Sequence, residues 1–252
     1  MVNHSERFTG KADAYSRYRP SYPNEYIDYL LSANLLKEAS SVADIGSGTG
    51  ILSKQLLGRG LQVIGVEPND DMRSLAEHEL NQIPRFTSIN ATAEDTGLST
   101  NTIDLVTVAQ AFHWFNTERF KGECQRILKN DANVALVWNS KDLSSPIYLE
   151  MQELFHQMCP SFKGFSGGIE ESPQIYDKFF NKGKFEFRSY INEWILDYES
   201  FIGRNLSSSY SLQQTEKGYG QFITALSDLF EKYSTNGEIR LPKITKSYLG
   251  KV

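Results

Sequence analysis

The sequence predicts an α/β protein built on a doubly wound, largely parallel β-sheet. Three observations carry this. Short apolar segments alternate with helix-patterned ones through the first half of the chain. The apolar segments show no polar alternation, so each strand needs cover on both faces. A glycine-rich turn, Gly46-Ser47-Gly48-Thr49-Gly50, joins the first apolar segment to a helical run.

The elements follow in order. Ser41–Ile45 reads as a buried strand, and Ile51, Leu52, Leu56 and Leu57 keep helical spacing until Gly58 and Gly60 end the helix. Gln62–Val66 is the second strand. Asn69 caps the next helix, with Asp70 and Asp71 set against its positive end and Met72, Leu75, Ala76 and Leu80 on its inner face. Arg85–Ile89 and Ile103–Ala109 are the third and fourth strands. Asn116 caps a helix that carries Phe120, Cys124, Ile127 and Leu128 on one side, and Asn133–Trp138 is the fifth strand. Right-handed crossovers bring the loops after these strands to one edge of the sheet, where ligands bind in such folds.

The second half is less regular. Ser145-Pro146 and Ser172-Pro173 each pair a cap with a proline at the first helical position. Pro160–Gly168 is a loop of aromatics and glycines, and Phe185–Trp194 alternates as a strand. Phe222, Ala225, Leu226, Leu229, Phe230 and Tyr233 form one helical stripe suited to a core, and Ile244–Val252 closes the chain as a strand. One domain is expected, with 143–184 inserted over the sheet edge.

Composition excludes several classes. The net charge of −5 is spread among interspersed acids and bases, which gives no nucleic-acid footprint. No run of about 18 apolar residues is present, so a membrane span is not expected. The polar N-terminus lacks the apolar core of a secretory signal. Cys124 and Cys159 are far apart and fit no metal spacing; they are expected to be reduced thiols of a cytoplasmic protein without a metal site.

The glycine turn lets a ligand approach the main chain, and free amides at a helix start favour an anionic group. A dinucleotide fingerprint, G-x-G-x-x-G/A, puts its third small residue at Ile51, which is too large for close helix–strand packing. Glu67, at the end of the second strand, stands where an acid accepts hydrogen bonds from both hydroxyls of a ribose. An NAD-dependent oxidoreductase and a binding module that keeps the fold without catalysis both stay open at this point.

The segments DIGSGTG (44–50), GVEP (65–68) and NATAED (90–95), in register on successive strands, resemble the class I S-adenosylmethionine-dependent methyltransferases. That resemblance implies a seven-stranded sheet in the order 3-2-1-4-5-7-6, with strand seven antiparallel, and S-adenosylmethionine as cofactor. It implies that Asp44, Gly46, Ser47, Gly48, Thr49 and Gly50 line the methionine and ribose portion of the cofactor. Glu67 would hold the ribose hydroxyls. Pro68 and Met72 would flank the adenine, and Ala93 would offer its N–H to the ring, with Thr92 beside it. Many relatives carry an acid at the Thr92 position, and threonine accepts more weakly. Glu94 is either a second adenine contact or a surface charge. The stretches Arg7–Pro23 and Ala109–Asn116 resemble the branch of trans-aconitate methyltransferase-like, type 11 proteins. There an N-terminal segment, residues 1–35 here, folds over the cofactor bound by the core at 36–140, ahead of C-terminal strands and a helix at 185–252. Phe8, Tyr15, Tyr18 and Arg19 are the lid candidates. Aromatic faces attract a sulfonium, and Arg19 suits the cofactor carboxylate.

Methyl transfer needs alignment and exclusion of water more than acids or metals. The expected acceptor is a small molecule, with a carboxylate as one option, and no nucleic-acid or membrane partner is expected. His113 is the candidate base, against a role in fixing its loop. Ala109 and Gln110 end the fourth strand beside the sulfonium. Trp114, Phe115, Tyr148, Phe155, Phe162, Phe165 and Trp194 are expected to wall the acceptor pocket, with Arg188 or Arg204 as a binder of an acidic acceptor. His4, His78 and His156 are read as surface or packing residues.

Overall fold

The structure is a computed structural model and describes residues 20–165, 173–208 and 210–252. In chain order the elements are α1 (Asn24–Ala33), β1 (Ser41–Ile45), α2 (Ile51–Leu57), β2 (Gln62–Val66), α3 (Asp70–Leu80), β3 (Phe86–Ile89), β4 (Ile103–Ala109), α4 (Thr117–Ile127), β5 (Leu128–Lys141), α5 (Pro146–Met158), α6 (Pro173–Phe179), β6 (Glu186–Asp197), α7 (Tyr198–Leu206), α8 (Tyr219–Tyr233), β7 (Ser234–Thr235) and β8 (Glu238–Gly250).

The strands lie in the order β3-β2-β1-β4-β5-β8-β6, and the two-residue β7 pairs with β8 as a hairpin arm. With β7 set aside as that arm, β8 takes the place of the seventh strand and the order is the expected one. β1 is parallel to β2 and β4, β2 to β3, and β4 to β5.

The absence of polar alternation has a direct structural cause. Alternate residues of one strand enter two different cores. Val42, Val63, Leu105, Ala135 and Val137 pack with α1, α2 and α3 on one face. Ala43, Ile45, Val106, Val134 and Leu136 pack with α4 and α6 on the other. A polar residue on either parity would be buried, which is why the strands read as continuous apolar runs.

The caps behave largely as expected. Asn69 accepts from Met72 N (2.9 Å) and Asn116 from Arg119 N (3.1 Å). Ser145 precedes Pro146 at the start of α5, but its hydroxyl donates to Asp142 O instead of capping the helix.

The chain resolves into two compact units. The first comprises Met1–Asn139, Pro173–Tyr190 and Thr245–Val252; the second comprises Ser140–Ser172 and Ile191–Ile244. The expected insertion at 143–184 is thus divided. Its last part carries α6, whose Tyr176, Phe179 and neighbouring Phe180 fill the core around Phe112, Phe120 and Tyr248 of the first unit. The second unit has its own aromatic core, in which Phe155 contacts Phe162, Phe165, Tyr210 and Phe222. Within it, Phe222, Leu226, Leu229 and Phe230 of α8 are buried, as the helical stripe predicts.

One charged network fixes the loop that follows β3. The Glu123 carboxylate, 7% exposed, accepts from Thr96 N (2.8 Å) and from Arg126 Nη2 and Nε (2.8 Å each). Burial works against its charge, but the bonds from Arg126 and Thr96 prevail and hold its pKa at about 2. A depressed carboxyl pKa adds stability that is complete above the unfolded value near 4.5 and is lost as pH falls through 2. Glu123→Gln is therefore expected to cost about 1–3 kcal/mol at pH 7 and to lose that deficit near pH 2. Urea midpoints of both proteins across that range provide the check.

Candidate functional site

The site is built where β1 and β2 end side by side. Gly46 N and Ser47 N both donate to Val66 O, at 2.8 and 3.2 Å, so the turn stays fastened to the second strand. Gly46, Gly48 and Gly50 all have positive φ, at +67°, +56° and +80°, but they serve different ends. A Cβ on Gly46 would sit 2.6 Å from Ala111 Cβ and 3.2 Å from Phe115 Cζ. A Cβ on Gly50 would sit 2.7 Å from Leu80 Cδ1. These two glycines admit the loop after β4 and the end of α3. A Cβ on Gly48 would meet nothing within 4 Å. Of the three glycines in the turn, Gly48 alone faces open space. The small residue needed for close packing at the start of α2 is therefore Gly50, and the dinucleotide spacing, which needs it at Ile51, is not met.

Glu67 stands opposite that opening. Its Oε2 accepts from Gly48 N (3.0 Å) and its Oε1 from Asn69 N (2.8 Å). Arg73 Nη1 donates to its main-chain oxygen (3.1 Å). Burial raises the carboxyl pKa, and the two amides and the Arg73 charge oppose the rise. An ionised carboxylate offers about four acceptor positions; two are filled by main chain, and the remaining pair is left for two hydroxyls. The turn's own amides are otherwise spent. Gly50 N donates to Ser47 O (2.9 Å), so four of the five N–H groups from Gly46 to Gly50 are engaged within the protein. The Thr49 hydroxyl is buried and has no partner among the described residues.

Asp44 acts from beneath. Its carboxylate is fully buried and accepts from Ser53 Oγ (2.6 Å) of α2 and Thr107 Oγ1 (3.0 Å) of β4. It joins three elements under the turn instead of presenting its side chain to a ligand. Burial pushes its pKa up to about 6 against those two hydrogen bonds, with a smaller contribution from the nearby Glu67 charge.

The remaining loops divide between ligand-facing and structural roles. Pro68 is half-buried, and Met72 is buried at the start of α3. Thr92 is exposed and Ala93 is buried. Glu94 is half-buried, and its Oε1 accepts from Asn116 N (2.7 Å), which ties this loop to the start of α4. Ala109 and Gln110 are half-buried at the end of β4. Gln110 has φ +63°, an uncommon conformation for a residue with a side chain; its N donates to Val137 O and its Nε2 to Asn139 O. Backbone held this way marks functional loops more often than ordinary ones.

A single 3-10 turn, Phe112–Trp114, follows. Phe112 points into the core. His113 is exposed, lies 4.4 Å from the Trp114 ring between centroids, and has its pKa lowered by lost solvation. Among the described residues no hydrogen bond orients its imidazole. Trp114 and Phe115 are half-buried, and Phe115 abuts Gly46. Tyr148 and Phe165 belong to the second unit, where Tyr148 is buried with its ring 5.8 Å from that of Phe165.

Phe8, Tyr15, Tyr18 and Arg19 lie outside the described residues. The segment that follows them is anchored at the site. Tyr22 N donates to Gln55 Oε1 (2.9 Å), Gln55 Nε2 donates to Tyr22 O (2.7 Å), and Asn139 Nδ2 donates to Ser21 O (3.3 Å). Sequence reasoning missed Ser53, Thr107, Gln55 and Asn139. Thr107, a hydroxyl inside an apolar strand, was the one readable signal, since its register partner on β1 is Asp44.

With this geometry in place, known proteins can be compared. Residues 43–136 match the Methyltransferase domain family. An "Uncharacterized methyltransferase" of Mycobacterium tuberculosis is 41% identical over 135 residues, covering 54% of this chain and 53% of that protein. The chain is similar, over that segment, to proteins named methyltransferases. A further relative is the "Probable S-adenosylmethionine-dependent methyltransferase CRG1" of Saccharomyces cerevisiae, 33% identical over 125 residues, or 48% of this chain and 43% of that one. The chain thus spans about half the length of the curated relatives it matches. A solved "Putative Type II Methyltransferase from Anaeromyxobacter dehalogenans" shares the fold, with a TM-score of 0.67 and 22% identity over 93% of this chain and 98% of that one. Among the described residues no helix is long and apolar enough to cross a membrane.

The buried Asp44 makes the methyltransferase fold titratable. A carboxyl whose folded pKa is raised is best tolerated when protonated, so its contribution falls as pH rises from about 4 through 6 and is then constant. Asp44→Asn cannot titrate. Relative to the natural protein, its stability should improve between pH 4 and 7 by at most about 3 kcal/mol, read from denaturant midpoints as a slope independent of the substitution's fixed cost.

Proposed function

We propose that the first unit binds S-adenosylmethionine at the turn after β1, and that the protein transfers the methyl group to a small-molecule acceptor that supplies its own negative charge, such as a carboxylate. The observation that carries the reading is the Glu67 carboxylate, held by Gly48 N and Asn69 N beside the glycine of the turn that faces open space.

The residues present fit the cofactor. Glu67 has two acceptor positions to spare for a ribose. Gly48 leaves room where a side chain would fill it, and the orphaned Thr49 hydroxyl is a polar atom awaiting a partner. Pro68, Met72, Thr92 and Ala93 are assigned to the adenine side, Ala109 and Gln110 to the sulfonium, and Phe8, Tyr15 and Arg19 to the covering segment. When bound, the cofactor supplies an electrophilic methyl group with a neutral sulfide as leaving group. The protein's share is to hold donor and acceptor in line and exclude water, effects worth up to about 7–11 kcal/mol in model reactions. A neutral, unoriented His113 suits the wall of such a site better than a general base. An acceptor that arrives already ionised needs no base, which supports the carboxylate and the trans-aconitate methyltransferase-like branch. The Gly50 packing weighs against NAD chemistry. A non-catalytic module differs only in turnover.

Calorimetry with S-adenosylhomocysteine tests the cofactor. Glu67→Gln should weaken binding about 10- to 100-fold, the worth of charged hydrogen bonds. Gly48→Ala should fold, at a cost of about 1–2 kcal/mol for its left-handed backbone, and bind weakly. Gly46→Ala should lose the fold through its clash with Ala111. Equal binding by the natural protein and Glu67→Gln would remove the reading. Screening small carboxylates for sulfide-product release tests turnover.

A further inference from the structure

β6 is the last strand in the sheet order, with β8 on one side and, among the described residues, no strand on the other. At twelve residues it is about twice the usual strand length. The free N–H and C=O groups of such an edge pair readily with another extended chain, and proteins commonly close edges with prolines, bulges, covering elements or charges. The opening part of β6, residues 186–190, belongs to the first unit and holds no proline. It does carry charges, and their order decides what they repel and what they accept.

Glu186 and Arg188 flank Phe187. Successive strand residues alternate between faces, so the two charged side chains share one face and Phe187 lies on the other. Arg188 Nη2 meets Glu186 Oε1 at 2.7 Å, and both side chains are about half-exposed. Arg188 Cζ rests 4.0 Å from the centre of the Tyr29 ring of α1, which fixes where the positive charge stands. Beside them lies an open hollow of about 790 Å³, lined by Glu25, Asp28, Tyr29, Ser32, Glu186 and Arg188, with room for side chains from outside. On the other face Phe187 is 51% exposed, its ring centre 5.1 Å from that of Tyr248 in β8.

We infer that the start of β6 is a self-association edge, which pairs antiparallel with the same strand of a second copy of this chain about a two-fold axis at Phe187. Such pairing sets the residue before the axis against the residue after it. Glu186 therefore faces Arg188 of the second copy, and Arg188 faces Glu186 of the second copy. The four charges make a square of alternating sign, in which each arginine lies between two carboxylates. Opposite charges across strands stabilise a pairing and like charges destabilise it. An axis moved one residue either way would set Glu186 against Glu186 or Arg188 against Arg188, so the charges select one register. The two exposed Phe187 rings meet on the opposite face and cover each other. Main-chain hydrogen bonds supply the affinity, and the side chains supply the specificity.

Sedimentation velocity of the full chain tests the edge from about 1 to 300 μM, the range in which a dimer with a small interface forms. The natural protein should pass from monomer to dimer across it. Glu186→Arg and Arg188→Glu should each weaken self-association at least about tenfold. An equimolar mixture of the two should recover the natural affinity within about threefold, because each supplies the charges that the other lacks. Phe187→Cys gives a readout without a change of charge. At the axis the two Cα atoms lie about 4.5–5.5 Å apart, within disulfide reach, so oxidised glutathione should link two chains. Ile191→Cys, at a position that is also exposed, should stay unlinked, since the two copies of that position are about 26 Å apart in this register. Cys124 and Cys159 are buried and do not compete. A natural protein that stays monomeric overturns the inference, the edge then being closed by another segment of the chain or by a different partner. It is equally overturned if the mixture dimerises no better than either variant alone, or if Ile191→Cys links as readily as Phe187→Cys.

Discussion

One carboxylate organises the sheet's carboxyl edge. Glu67 receives the amide of Gly48 from the turn after β1 and the amide of Asn69 from the start of α3. Two loops from different strands thereby share one anchor, and its charge is preserved by main chain that cannot be titrated away. Asp44 holds the same turn from below through Ser53 and Thr107. The turn is clamped between two acids, one at the surface and one in the core. That rigidity is costly, as the raised pKa of Asp44 shows, and it fixes the shape of the opening at Gly48 before any ligand arrives. Binding then requires little ordering of protein, which is the largest avoidable loss in recognition.

Much of the first unit was legible because its constraints are local or periodic. β1, β2 and β4 announce themselves as apolar runs, the two asparagine caps precede their helices, and Glu67 falls at the only place where an acid closes a buried strand beside the glycines. What stayed hidden depends on side chains meeting across long separations. The bond from the Asn116 amide to Glu94, which ties two loops together, has no sign in the sequence. Phe112 sits in the same aromatic run as Trp114 and Phe115, yet the fold turns it inward against Phe179 and leaves His113 outside. The allotment of α6 to the first unit could not be read either, since its aromatics carry no sign of which core they fill.

The second unit shows the same limit more sharply. Its aromatic residues were expected as walls of a pocket, and many are interlocked core: Phe155 is fully buried and Phe162 nearly so. Alternation in β8 suggests a half-buried strand, and Lys243 falls on the buried parity with Leu241 and Thr245. A lysine there reads as an interruption of pattern.

The glycine turn also argues about the charge of its ligand. Turns of this type serve as anion cradles when their amides are free. Here Gly46, Ser47, Gly48 and Gly50 have already given their N–H groups to Val66, Glu67 and Ser47. A pyrophosphate brought to this turn would find few donors and would face the carboxylate of Glu67 with that of Asp44 behind it. Both acids raise the electrostatic cost of an anion and lower that of a cation. A nucleoside that offers two hydroxyls to Glu67 and carries a positive centre is thus favoured twice, once by hydrogen bonding and once by the field. The same two terms disfavour a dinucleotide, independently of the spacing of the glycines. Charge and geometry, which need not agree at a site assembled from separate strands, here select the same ligand.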